Sequence, residues 1–71
     1  MAREIFKVGG LFSLEDKEEI ETYLGQIDGV KKVQANLDDK TVTIDYSPSE
    51  VQWEWLVETL QSLGHDTSVL S

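Results

Sequence analysis

The stretch Gly29-Val30-Lys31-Lys32-Val33-Gln34-Ala35-Asn36-Leu37-Asp38-Asp39-Lys40-Thr41-Val42-Thr43-Ile44-Asp45-Tyr46 decides the fold. Val33, Ala35 and Leu37 alternate with polar residues, and Val42, Ile44 and Tyr46 do so again beyond Asp38-Asp39. A period of two places each set on one face of a strand, and the acidic turn joins the two strands as a β-hairpin. On both sides of the hairpin the period becomes helical. Upstream, Ile20, Tyr23, Leu24 and Ile27 form one apolar stripe, with Glu15, Lys17, Glu18, Glu21 and Thr22 opposite, so a helix is expected from Ser13 to about Gln26. Asp28-Gly29 is expected to end it, because glycine accepts the left-handed conformation at a helix C-terminus. Downstream, Ser47-Pro48-Ser49 interrupts the hairpin strand, and Trp53, Leu56, Val57, Leu60 and Leu63 mark the inner face of a second helix that stops at Gly64.

Working further outward, Ile5 to Val8 make a short strand with Phe6 and Val8 on one face, and Gly9-Gly10 break it. At the other end, His65 to Leu70 supply a last short strand or a fraying tail. The order β-α-β-β-α-β is that of the split βαβ plan. The expected fold is therefore α+β, a ferredoxin-like βαββαβ sandwich with an antiparallel four-stranded sheet and two helices on one face.

Residues 1–71 are expected to form a single domain. A chain of this size buries only about 60% of its unfolded surface, and without cysteine it has neither disulfides nor thiolate metal sites as staples. The formal net charge is -8, from 14 acidic and 6 basic residues. That argues against a nucleic-acid partner, which demands basic patches, and it disfavours anionic membrane surfaces. It suits a basic partner protein or a cation, and it also serves simply to keep a small domain soluble. The N-terminus is too short and too charged for a signal peptide, and no apolar run approaches the roughly 20 residues of a membrane span. No membrane insertion and a cytoplasmic location are expected.

Ser13-Leu14-Glu15-Asp16 has the spacing of a capping box: the serine hydroxyl accepts the third helical N–H, and the acidic side chain accepts in return. Glu15, Asp16, Glu18 and Glu19 lie in the first two turns, where the helix dipole favours anions. Phe12 and Leu14 flank Ser13, and Leu14 lies off the apolar stripe. Trp55 points almost opposite to the mean direction of Trp53, Leu56 and Leu60. Phe12, Leu14 and Trp55 are thus candidates for docking a protein partner; isolated exposed apolar residues are also ordinary.

Taken together, several stretches resemble the heavy-metal-associated domain family over about residues 5–69. Gly10 and Leu11 hold the Gly and Met places of the family's Gly-Met-Thr-Cys-x-x-Cys loop, while Ser13 and Asp16 stand where its two metal-binding cysteines belong. Gly29 to Leu37 matches the stretch Gly-Val-x-x-Val-x-Val-x-Leu, Thr41 to Pro48 looks like the third strand, and Leu56, Leu60 and Leu63-Gly64 match the second helix and closing turn. Local chemistry offers Ser47-Pro48-Ser49-Glu50 as a capped start for that helix; the resemblance puts the start near Gln52, which is the expectation adopted.

The resemblance implies the fold and a metal-trafficking context like that of copper chaperones and the N-terminal modules of P-type metal-transporting ATPases. It does not confer cysteine chemistry, since thiolates are what select copper(I) and this chain has none. The expected function is a non-enzymatic docking or regulatory module whose thiolate site is lost, with a metal transporter or a second copy of the domain as partner. The alternative is a weak carrier of a divalent ion such as zinc, nickel or cobalt. The resemblance sets His65 in the loop beside the metal loop, so that His65 with Asp16 or Glu15 and water would hold the ion weakly. A histidine just past a helix is otherwise a solvated cap residue. Catalysis has little support: Ser13 has no evident base. The phosphate loop of acylphosphatases, which share this architecture, needs an Arg, yet residues 9–14 contain no basic side chain.

Overall fold

The alternating hairpin and the two helical stripes produce the expected order in the computed structural model, which describes residues 1–70. The elements are β1 (Ala2–Val8), α1 (Leu14–Gly25), β2 (Val30–Asn36), β3 (Thr41–Tyr46), α2 (Trp53–Ser62) and β4 (Thr67–Val69). The sheet order is β2-β3-β1-β4, and every neighbouring pair is antiparallel. Val42 faces Phe6 on one side and Ala35 on the other, so one row of apolar side chains crosses three strands. Ile20 and Leu24 of α1 and Leu56 and Leu60 of α2 close over that row in a single core with Val8 and Ile44. Both helices therefore cover the same face of the sheet, the ferredoxin-like arrangement.

Several local features differ from the sequence expectation, among them Tyr23 of the α1 stripe, which is 53% exposed. The first strand starts at Ala2, not Ile5, because β3 is long enough to pair with it throughout, and Arg3 Nε donates to Asp45 Oδ1 at 2.7 Å across the pair. Helix α1 ends at Gly25 with Gln26 as its C-cap, so Gly29 does not terminate it. Gly29 instead has φ +98° at the entry to β2, where an added Cβ would lie 2.7 Å from Glu50 Cβ. Trp53 is 39% exposed, not an inner-face core residue; Val51, outside the helix, is buried in the core. Helix α2 begins after Gln52, the start the resemblance implied. Ser47 is engaged by backbone turns instead of a capping box, its carbonyl accepting from Glu50 N at 2.9 Å and Val51 N at 3.1 Å.

The tail after Gly64 forms β4 and pairs with β1 from Phe6 to Val8. This pairing brings the residues following α2 beside the loop that leaves β1. Among the described residues, no helix is long and apolar enough to cross a membrane.

Candidate functional site

The β1–α1 loop, residues 9–13, is built from both ends. As β1 finishes, Val8 N donates to the Lys40 carbonyl at 2.8 Å and Gly9 N to the Asp66 carbonyl at 2.7 Å. Gly10 has φ +76°, and a Cβ there would approach His65 Nδ1 to 3.2 Å, so glycine suits both the backbone and the space. Leu11 is fully buried and anchors the middle of the loop, whereas Phe12 is 75% exposed. Ser13 is the extended N-cap of α1. Its Oγ accepts from Asp16 N at 3.2 Å, while Asp16 Oδ2 accepts from Phe12 N at 3.1 Å and Ser13 N at 3.2 Å. The capping box is closed in both directions, with aspartate in the place glutamate usually takes. The Phe12 N–H foremost, then Ser13 and the nearby His65, hold the Asp16 carboxyl below the ordinary carboxylate range.

Two side chains from distant elements complete the loop. The end of α2 forms a Schellman motif: His65 N donates to the Leu60 carbonyl at 3.1 Å and Gly64 N to the Gln61 carbonyl at 3.0 Å. That turn buries the His65 ring, correcting the expectation of a solvated cap residue. His65 Nδ1 lies 2.8 Å from the Gly9 carbonyl. A carbonyl only accepts, so Nδ1 is the donor, and the bond leaves Nε2 as the ring nitrogen not committed to the loop backbone. From the β2–β3 turn, Lys40 Nζ donates to the Leu11 carbonyl at 2.7 Å and sits 4.8 Å from the centre of the Phe12 ring.

The fold thus gathers Ser13, Asp16 and His65 at one loop, the first two through the local capping box and His65 through the pairing of β4 with β1. Glu15 is exposed in the first turn of α1. Among the described residues, no group of three or more His, Cys, Asp or Glu is arranged to hold a metal ion. The donors at the family's cysteine places do not fit a soft metal. Ser13 offers a neutral hydroxyl, and both it and the Asp16 carboxylate are engaged in capping. Leu14, two residues after Phe12 and on the other side of Ser13, is 66% exposed. Trp55, 55% exposed, belongs to a separate open groove of about 550 Å³ with Ile27, Pro48 and Val51, none of them in the loop. Sequence reasoning missed Lys40. Its only signal there was a basic residue at the end of an acidic turn, and no spacing rule links that turn to a loop about thirty residues earlier.

The model of the heavy-metal-associated domain matches residues 5–66. The copper chaperone CopZ of Staphylococcus epidermidis is 30% identical over 66 residues, covering 93% of this chain and 97% of that protein. A copper-exporting P-type ATPase of Staphylococcus aureus is 38% identical over 50 residues, which span 70% of this chain but only 6% of the ATPase. The solved structure of a CopZ metallochaperone superposes with a TM-score of 0.91 at 28% identity, over 94% of this chain and all of that one (100%). This chain belongs to the heavy-metal-associated domain family, and it does so without a cysteine.

Proposed function

We propose that this heavy-metal-associated domain is a cytoplasmic, non-enzymatic docking or regulatory module in metal-ion trafficking, acting without a thiolate metal site. The observation that carries the reading is the state of the β1–α1 loop. Its two donor places are filled by Ser13 and Asp16, whose polar groups satisfy the helix end, while Phe12 and Leu14 are 75% and 66% exposed around them. A loop of this composition lacks the chemistry to carry copper(I) but keeps an apolar surface able to contact a protein. The names of its relatives, a copper chaperone and a copper-exporting ATPase, supply the context. The partner proposed is a metal transporter or a second copy of this domain, and the acidic balance of -8 favours a basic contact surface.

The test is a titration of the isotope-labelled chain with the N-terminal domain of a copper-exporting P-type ATPase, metal-free and copper(I)-loaded, alongside a dilution series of the chain alone. Shift changes centred on Phe12 and Leu14 that do not depend on copper support the module. No change with either form of the domain, and none on dilution, would defeat it.

A second reading, a weak divalent-metal carrier, draws on one observation: His65 lies beside the loop with Nδ1 committed to the Gly9 carbonyl, so that Nε2, once unprotonated, is the ring nitrogen able to ligate a metal. Its remaining ligands would be Glu15 and an Asp16 withdrawn from its capping bonds, so the reading predicts that binding costs helix stability. Zinc or nickel titration followed at the His65 ring signals separates the two readings.

A further inference from the structure

We infer that Lys40 is a positioning residue that cross-links the β1–α1 loop from outside and holds it in one shape without a metal. The inference rests on the docking reading only for the use made of Phe12; the geometry stands apart from it.

Lys40 has φ +58°, and among the described residues it is the one non-glycine residue with positive φ. An L-residue bears a conformational penalty there that glycine escapes, so glycine or asparagine is the economical choice for such a turn. The turn is already closed by other means: Asp39 N donates to Asn36 Oδ1 at 3.0 Å and Lys7 Nζ to the Asp39 carbonyl at 2.8 Å. A long side chain at a strained position points to work done by that side chain.

The contacts identify the work. The Lys40 carbonyl accepts from Val8 N at 2.8 Å, and its ammonium donates to the Leu11 carbonyl at 2.7 Å. One residue therefore grips the chain on both sides of Gly9-Gly10, the pair with the greatest backbone freedom in the loop. The same ammonium lies 4.8 Å from the Phe12 ring centre, against an aromatic face that attracts cations. Phe12 is thereby held at the surface by its face instead of collapsing onto the core. His65 on the Gly9 carbonyl and Asp16 on the Phe12 and Ser13 amides fix the remaining polar groups on either side. Lys40 is half-buried, which shields its bond from water more than that of a free surface lysine.

The test compares Lys40→Met, which removes the ammonium and keeps the backbone strain, with Lys40→Gly, which removes both, and with Lys40→Arg, which keeps a donor. Amide exchange at Phe12 and Ser13 and backbone order over residues 9–13 are the readouts; Val42 and Ile44 amides report the core. Methionine and glycine should each raise exchange at Phe12 and Ser13 by roughly tenfold relative to the core, and arginine should restore most of the protection. Unchanged loop exchange in folded Lys40→Met and Lys40→Gly overturns the inference. The unmodified chain provides a measurement that no folding defect can spoil: the Lys40 side chain should be more ordered than the exposed Lys31 and Lys32, and equal mobility of the three overturns it as well. No partner is present in these measurements, so a loop that stays locked while docking fails counts against the docking reading alone.

Discussion

Ser13→Ala separates a helix cap from a relic of a ligand. The mutation removes Oγ, the acceptor for Asp16 N at 3.2 Å, and leaves the reciprocal bonds from Phe12 N and Ser13 N to Asp16 Oδ2 in place. Only half of the capping box is lost. A serine N-cap is worth about 1 kcal/mol against alanine, with about 2 kcal/mol as the upper end. Ser13 is exposed and its bond is at the long end of the N–H···O range, so water replaces part of it and the loss should be about 1 kcal/mol or slightly less. In a domain of this size that corresponds to a fall in Tm of roughly 4–8 °C. Thermal melts by far-UV circular dichroism, with urea midpoints at constant slope, measure it, and Ser13→Thr should recover most of the loss. If Ser13→Ala leaves stability unchanged while zinc or nickel binding disappears, the capping account is wrong and Ser13 is a ligand.

Asp16 and Asp45 are both held below the ordinary carboxyl value of 3.8, the first chiefly by the Phe12 N–H and the second by Arg3. A lowered folded-state pKa stabilises above the unfolded value and is lost as pH falls through the folded one, so stability should drop below about pH 4, and Asp16→Asn should flatten that acid limb in melts recorded against pH. Under competition with a strong chelator the chain should show negligible copper(I) affinity, because no thiolate is available; a submicromolar constant at one-to-one stoichiometry would refute this. Ser13→Cys with Asp16→Cys should recover copper(I) or mercury(II) binding, seen as sulfur-to-metal charge-transfer absorption with unaltered far-UV dichroism, since the helix N-terminus favours thiolate and the positions already lie at one end of α1. A folded, reduced double mutant that fails to bind would show that the loop geometry has diverged. Gly64→Ala, at φ +93° in open space, should cost about 1 kcal/mol, and Gly29→Ala, which drives a Cβ to 2.7 Å from Glu50 Cβ, at least about 2 kcal/mol by denaturant titration; equal costs would show that the close approach relaxes freely.

Local periodicity and cap chemistry carried most of the fold and part of the loop. The alternation in Val33–Ala35 and Val42–Ile44–Tyr46 determined which strand face is buried, because a strand exposes alternate side chains whatever surrounds it. The pair Ser13 and Asp16 announced a helix start because both partners lie within one turn. The exposure of Leu14 and Trp55 followed from helical angle alone. What periodicity did not contain was decided by contacts between elements. A register shift between Val30 and Lys32 puts Val30 opposite Tyr46, and Val30 packs on the core with Val33 although an unbroken strand would set them on opposite faces. Gly29 owes its role to a neighbour from the β3–α2 segment, not to the helix it follows. His65 is buried on Gly9 only because β4 lies alongside β1, and Lys40 reaches Leu11 only because the hairpin turn packs against the end of β1. Hydrogen bonds between residues three apart are set by local chain geometry and are legible in order along the sequence. Those between residues 29 and 56 apart exist only once the sheet has chosen its neighbours, and those bonds hold the loop.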